Sequence, residues 1–311
     1  WSLWKPSISR RIGRMDKIAA SPTTRRFAAE NGVDVDALGR EIGEDTVSKT
    51  DVKRKLDAGV SATAVDATQL AYWQVDHSAY GPVTAQKRSR MDKLAAANLT
   101  AAQQIIPAVT HHDRADMTEI EALRHRLKPD ADAQGVKLTA LAFHVKALAK
   151  SLAILPNFNA SLSADGDILW LKQFFHIGIA VDTPYGLMVP VIRDVDQKGL
   201  LTIADEIFQM AKRAQTRKLR PEDMGGASMS ISNLGGIGGM AFTPIVNPPE
   251  VAIMGLTRTE MQPIWNGEAF DPRPMVPLDL SYDHRVINGA EAARFMRHYA
   301  GLVSQPSLLV L

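Results

Sequence analysis

The chain has 311 residues, 36 of them Lys or Arg and 34 Asp or Glu, for a net charge of +2, and 45% of its residues are hydrophobic. That balance is ordinary for a globular chain of one large and one small domain, and it offers no overall attraction for nucleic acid. There is no cysteine, which excludes disulfides, thiol nucleophiles and thiolate metal sites, and the longest apolar run, residues 138–155, is broken by His144, Lys146 and Lys150 before it reaches the ~18 residues of a membrane span.

Residues 1–19 read as a basic arm, with Lys5, Arg10, Arg11, Arg14 and Lys17 and no period. The chain starts at Trp1 rather than Met, so a longer protein is expected around it. Residues 20–57 read as a small all-α unit. Ser21 caps a helix, Pro22 suits its first position and Gly32 stops it. Residues 33–39 read as a turn, and a second helix has its body at 49–56. At about 40 residues this unit is near the lower limit for folding without a staple. Residues 58–81, rich in small side chains and without period, read as a linker, with Tyr72-Trp73 as a docking point or simply more linker.

Residues 82–311 mix helices and strands. Residues 87–104 read as a helix and 107–116 as a strand. Thr118 and Glu121 have capping-box spacing and open a helix to residue 128. Residues 138–155 read as a buried helix, and 174–182 and 187–192 as strands around a turn at 183–186. Thr202 and Asp205 open an amphipathic helix to residue 217. Further strands follow at 227–232, 251–258 and 275–282, then a helix at 290–302. Period alone gives an α/β domain, a mixed sheet with helices on it.

The chemistry concentrates at Asp283-His284-Arg285-Val286-Ile287-Asn288-Gly289. A histidine at a strand end, before a turn with an amide and a glycine, can seat a general base. Its ordinary pKa near ~6.5 suits proton removal from a thiol near ~8.5. In Met229-Ser230-Ile231-Ser232 both serines fall on one strand face. One hydroxyl there can stabilise an oxyanion; a polar outer face is the other reading. Gly235, Gly236, Gly238 and Gly239 lack the spacing of a phosphate loop and read as a tight hairpin. His111 and His112 point to opposite strand faces and cannot easily share a metal. His144 reads as a satisfied core residue, His125 and His298 as helix-surface residues. Met15-Asp16-Lys17 and Met91-Asp92-Lys93 read as arm and helix rather than as lipoylation sites.

The histidine motif resembles the His-x-x-x-Asp-Gly signature of the dihydrolipoamide acyltransferase family and its relative chloramphenicol acetyltransferase, with Asn288 where most members carry aspartate. The resemblance extends over residues 20–311. Residues 20–28, 32–35 and 49–52 resemble the family's peripheral subunit-binding domain, but the loop at 39–47 is shorter and more acidic than the family's glycine-rich one. Residues 106–110, 157–162, 181–187 and 242–247 resemble the acetyl-transferring branch that serves pyruvate dehydrogenase complexes.

The resemblance implies a chloramphenicol acetyltransferase-like mixed sheet with helices at 82–311, behind the small all-α domain. It implies His284 as base, Ser232 as oxyanion donor and Asn288 as a residue that holds the loop or orients the site. Arg124 is implied for the adenosine phosphate of coenzyme A, although a solvated helix face fits it equally. Coenzyme A and a lipoyl group are the implied substrates, the lipoyl group on a domain outside this chain. The implied assembly is a homotrimer with each site between two subunits, joined into a larger hollow core; the apolar end at 308–311 suits the contact between trimers, with burial against its own subunit equally open. The small domain would bind the pyruvate dehydrogenase and dihydrolipoamide dehydrogenase components, Arg25 and Arg26 remaining for that purpose. The location would be bacterial cytoplasm, or mitochondrial matrix in a eukaryote. A branched-chain or other acyl group, a non-catalytic scaffold and a free small-molecule acetyltransferase remain open at this point.

Overall fold

The computed structural model describes residues 18–42, 46–59 and 74–309, which fall into two compact units divided at Ala85–Gln86. Residues 1–17, 43–45, 60–73, 310 and 311 lie outside the described residues. They include Met15-Asp16-Lys17, Tyr72-Trp73, most of the basic arm, part of the acidic loop and the last two residues of the apolar end.

Among its described residues the small unit has three α-helices. In α1 (Pro22–Glu30) the Ser21 hydroxyl accepts from Thr24 N at 3.1 Å and Pro22 takes the first position. The segment read as a turn is instead helix α2 (Val35–Ile42). Its start is Asp34, whose Oδ1 accepts from Asp36 N and Ala37 N at 2.9 and 3.1 Å. Gly39, the last residue of that predicted turn, sits inside the helix, and it is a glycine because a Cβ there would lie 2.6 Å from Ile18 Cγ2. Ser48 and Asp51 cap α3 (Lys49–Gly59) reciprocally. Ile18, Ala28, Val35, Leu38, Val47 and Val52 form the core.

The large unit opens with α4 (Arg90–Ile105), boxed by Ser89 and Asp92, and then β1 (Ala108–Asp116). Helix α5 (Thr118–Ala133) has no side-chain cap: Asp116 Oδ1 takes the Thr118 N–H instead, and the helix runs on through Pro129, past the predicted end at 128. Alanine-rich α6 (Ala140–Ile154) is the predicted buried helix. Strands β2 (Ala160–Leu162) and β3 (Leu169–Leu171) form a two-stranded ribbon. In place of two long strands, β4 (Ile177–Ile179) and β5 (Val191–Ile192) are short, linked by a Val181–Met188 bridge around the predicted turn. Helix α7 (Leu200–Gln215) starts two residues before Thr202. Then come β6 (Met229–Asn233), β7 (Ala252–Leu256), β8 (Glu260–Trp265), β9 (Phe270–Asp283) and α8 (Gly289–Ser304).

Seven strands make one mixed sheet in the order β1-β9-β7-β6-β4-β5, with β8 also on β9. Strands β4, β6 and β7 are parallel and the other pairs antiparallel. The glycine stretch after β6 is therefore not a hairpin, since β6 and β7 run the same way. It is a turn in which Ile237 N and Gly238 N both donate to Leu234 O.

Strand alternation sorts the sheet into two faces. Met229, Ile231, Met254, Leu278, Leu280 and Tyr282 belong to the main core with residues of α6 and α8. Thr110, Ser230, Ser232, Asp279, Ser281 and Asp283 take the alternate positions. That second face is polar, and the candidate residues stand on it or at its end.

Candidate active site

The end of β9 is fixed from several sides. Asp283 N donates to Val251 O at 2.8 Å, and Asp283 O accepts from Val286 N and Ile287 N at 3.0 Å, which turns the chain. The buried Asp283 carboxylate clamps Arg285, with nitrogen–oxygen distances of 2.6–3.2 Å. His284 N donates to Pro107 O at 3.2 Å. With its neighbours so held, the His284 side chain is left exposed, its ring 5.7 Å from that of Tyr282.

Asn288 ends this turn. Its Oδ1 accepts from Glu291 N at 2.9 Å, the N-cap bond of α8, and Glu291 in turn accepts from Asn157 Nδ2 at 2.8 Å. The amide at 288 thus ties the histidine turn to the helix and to residue 157. An aspartate could make the same cap bond, so the departure from the aspartate signature leaves this geometry intact.

Ser232 is half-buried near the end of β6, paired with Gly255 of β7, which is paired with Asp279 of β9. Gly255 is small for a reason: a Cβ would stand 2.8 Å from the Phe242 ring and 3.0 Å from Asp279 Cβ. Asp279 Oδ2 accepts from Phe242 N at 3.2 Å, and Asp279 Oδ1 lies 2.6 Å from His112 Nδ1. His112 is therefore held by a buried carboxylate, and among the described residues no three His, Asp or Glu side chains cluster to hold a metal.

The structure does not bring His284 and Ser232 of one chain together. Ser232 is level with Asp279, five residues before His284 and two strands away. At ~3.3 Å per residue and ~4.8 Å per strand they stand on the order of 20 Å apart.

The remaining assignments divide. Arg124 is held by Glu121 of its own helix, at 3.0 Å through Nε and 2.6 Å through Nη2. His144 is the core residue expected, Nδ1 2.7 Å from the Tyr299 hydroxyl, and burial brings its pKa down to about 4. His125 is exposed, and His298 is half-buried on α8, its Nε2 without a hydrogen-bond partner and its pKa lowered by desolvation.

Sequence reasoning missed Glu250. Ser230 Oγ donates to its Oε1 at 2.9 Å, and burial raises its pKa to about 7 against the pull of Ser230 and the Lys172 charge. Gly178 makes room for Ser230, since a Cβ there would lie 2.3 Å from the hydroxyl oxygen. Nothing in Asn247-Pro248-Pro249-Glu250 signals this. The parallel register of β4, β6 and β7 assembles it.

A profile of the 2-oxoacid dehydrogenases acyltransferase (catalytic domain) family matches residues 80–311. The chain belongs to this acyltransferase family. The dihydrolipoyllysine-residue acetyltransferase component of the pyruvate dehydrogenase complex of Cupriavidus necator is 45% identical over 298 residues, covering 92% of this chain and 54% of that protein. The Azotobacter vinelandii component is 45% identical over 303 residues, covering 95% of this chain and 48% of that protein. The chain thus spans about half the length of these curated relatives. A solved cubic core of a pyruvate dehydrogenase multienzyme complex is 50% identical with a TM-score of 0.75, over 76% of this chain and 98% of that one. A solved dihydrolipoamide acetyltransferase of Azotobacter vinelandii is 49% identical with the same TM-score of 0.75 and the same coverage. That enzyme was studied for the catalytic role of a serine, a histidine and an asparagine, the serine 52 positions before the histidine and the asparagine 4 after it. In this acyltransferase chain Ser232, His284 and Asn288 have that spacing. Among the described residues no helix is long and apolar enough to cross a membrane.

Proposed function

We propose that this chain transfers an acetyl group between a dihydrolipoyl group and coenzyme A, within the core of a pyruvate dehydrogenase complex. The observation that carries the reading is the spacing of Ser232, His284 and Asn288, shared with the Azotobacter enzyme's serine, histidine and asparagine.

The geometry suits the reaction. The Asp283–Arg285 clamp exposes the His284 imidazole, which takes the proton of the attacking thiol. The thiolate sulfur attacks the thioester carbonyl carbon, and the Ser232 hydroxyl donates to the oxygen as it becomes an oxyanion. Collapse of that intermediate makes the new thioester and expels the other thiolate, which takes the proton back from His284. Because the two side chains are ~20 Å apart in one chain, the site joins His284 of one subunit to Ser232 of the next. That arrangement needs more than one copy of the chain, and the trimer is the expected assembly.

Asn288 holds the histidine turn through its cap bond. Arg124 is offered to the phosphates of coenzyme A, and would have to leave Glu121 to reach them. The small helical unit is assigned as the peripheral subunit-binding domain, for the pyruvate dehydrogenase and dihydrolipoamide dehydrogenase components. Arg25 lies 3.6 Å from Asp36, and Arg26 pairs with Glu30 at 3.0 Å on an exposed face.

The test is acetyl transfer from acetyl-coenzyme A to free dihydrolipoamide, with the parent chain and His284→Ala. The expected result is turnover in the parent and a loss of about 10²–10⁴-fold in kcat in the variant. A folded, oligomeric parent that transfers nothing would overturn the assignment and favour a scaffold.

A further inference from the structure

Four residues stand in one row across the polar face of the sheet. His112 of β1 is paired with Asp279 of β9, Asp279 with Gly255 of β7, and Gly255 with Ser232 of β6. Paired residues point to the same face, so the His112 imidazole and the Ser232 hydroxyl share it. Three strand spacings put them roughly 14 Å apart, too far for His112 to touch an acyl group at Ser232.

The residues between them make the connection. The Asp279 carboxylate is 1% exposed, and a carboxylate so buried has to be matched by donors. A carboxylate only accepts, so His112 Nδ1 donates to Oδ1, at 2.6 Å, and Phe242 N donates to Oδ2, at 3.2 Å. With its backbone held there, Phe242 lays its ring on Gly255, where a Cβ would lie 2.8 Å from Cε1 and Cζ of the ring. Gly255 is the strand neighbour of Ser232, so the ring closes one side of the Ser232 hydroxyl. A hydroxyl walled off from water on that side is a stronger donor to a developing oxyanion, because the local dielectric is low.

We infer that His112 is a positioning residue for acyl transfer, which through Asp279 holds Phe242 against the oxyanion donor Ser232. The inference rests on the transfer reading above. Without the imidazole donor, the buried carboxylate keeps one bond and has to draw in water or turn away from the Phe242 N–H. The ring then leaves Gly255, and Ser232 opens to solvent.

His112→Phe keeps a ring and removes the donor, whereas His112→Asn keeps a donor near the place of Nδ1. In transfer from acetyl-coenzyme A to dihydrolipoamide, His112→Phe is expected to lower kcat about tenfold and to leave KM within about twofold, since the oxyanion forms only in the transition state. His112→Asn is expected to bring kcat back to within about threefold of the parent. Phe242→Ala should lower kcat by a similar factor. Adding His112→Phe to it should cost less than about twofold more, because both changes act through one ring. Amide exchange at Phe242, followed by mass spectrometry, needs no turnover. It should quicken about tenfold in His112→Phe and stay near the parent rate in His112→Asn.

A folded parent that transfers nothing overturns the transfer reading, and the exchange rates then still decide whether His112 anchors Phe242. Unchanged exchange in His112→Phe overturns the role of His112. Equal losses of kcat in the phenylalanine and asparagine variants, or losses that multiply when Phe242→Ala is combined with His112→Phe, do the same. If His112→Phe does not fold, the His112→Phe/Asp279→Ala chain takes its place: it leaves no orphan carboxylate, and the same losses of exchange protection and of kcat are expected from it.

Discussion

Ser232 and His284 occupy the same sheet but different ends of it, Ser232 level with Asp279 and His284 just past the end of β9. Neither residue can complete a site with the other in one chain. The pairing must therefore be sought between copies, and it can be tested without imaging the assembly.

Inactive Ser232→Ala and His284→Ala chains, unfolded together in equal amounts and refolded, form mixed rings. A site is whole where a subunit with intact His284 meets a neighbour with intact Ser232. Random mixing makes that roughly a quarter of all sites in a ring. Transfer activity should recover to about that fraction, as measured with acetyl-coenzyme A and dihydrolipoamide. Recovery of nothing beyond the sum of the two variants would place both groups in one subunit.

Asn288 is predicted to matter through its cap. Asn288→Ala removes the bond to Glu291 N and should lower stability by about 1 kcal/mol. It should also lower kcat, because the His284 turn loses its anchor on α8. Asn288→Asp can make the same bond and should keep both properties. Thermal melting and the transfer assay on the two variants check this; equal behaviour of alanine and asparagine would remove residue 288 from the account.

Two buried groups give opposite pH dependences. His144, brought from 6.5 to about 4 by burial, stays neutral in the fold while the unfolded chain gains a proton. Its contribution is present above pH 6.5 and lost as pH falls through 4, on the order of 3 kcal/mol. Glu250, raised from 4.5 to about 7, favours the folded chain below pH 4.5, and this is lost as pH rises through 7. Between pH 4.5 and 6.5 the two offset each other. Glu250→Gln should therefore steepen the loss of stability on acidification, and His144→Gln should reverse its sign. Urea unfolding at pH 5 and pH 7 reads both; parallel curves for parent and variants would contradict the assignment.

Much of this was legible in the residues. His284 stood out because a strand pattern runs into a turn with Asn288 and Gly289, and strand alternation put Ser230 and Ser232 on one face. The ribbon of β8 and the first half of β9 was not legible, since Pro263, Pro272 and Pro274 argue against strand; in the sheet Pro263 stands opposite Pro272. Helix α2 was hidden by Gly39, whose reason is the distant Ile18 side chain. Glu250 had no local signal, because its partners Ser230 and Lys172 lie 20 and 78 positions away in the sequence.

The position of β9 between β1 and β7 also bears on how the protein is made. Thr110 of β1 bonds Ser281 of β9 at 2.7 Å across 171 residues of chain. While a ribosome is still building the chain, β1 and β7 must wait with open edges for a strand that follows both in the sequence. The strand that closes the sheet is also the one that ends at His284. A prematurely terminated chain would therefore lack the closing strand and the histidine together, so that unfinished translation products could neither complete the sheet nor supply a reactive histidine to a neighbour.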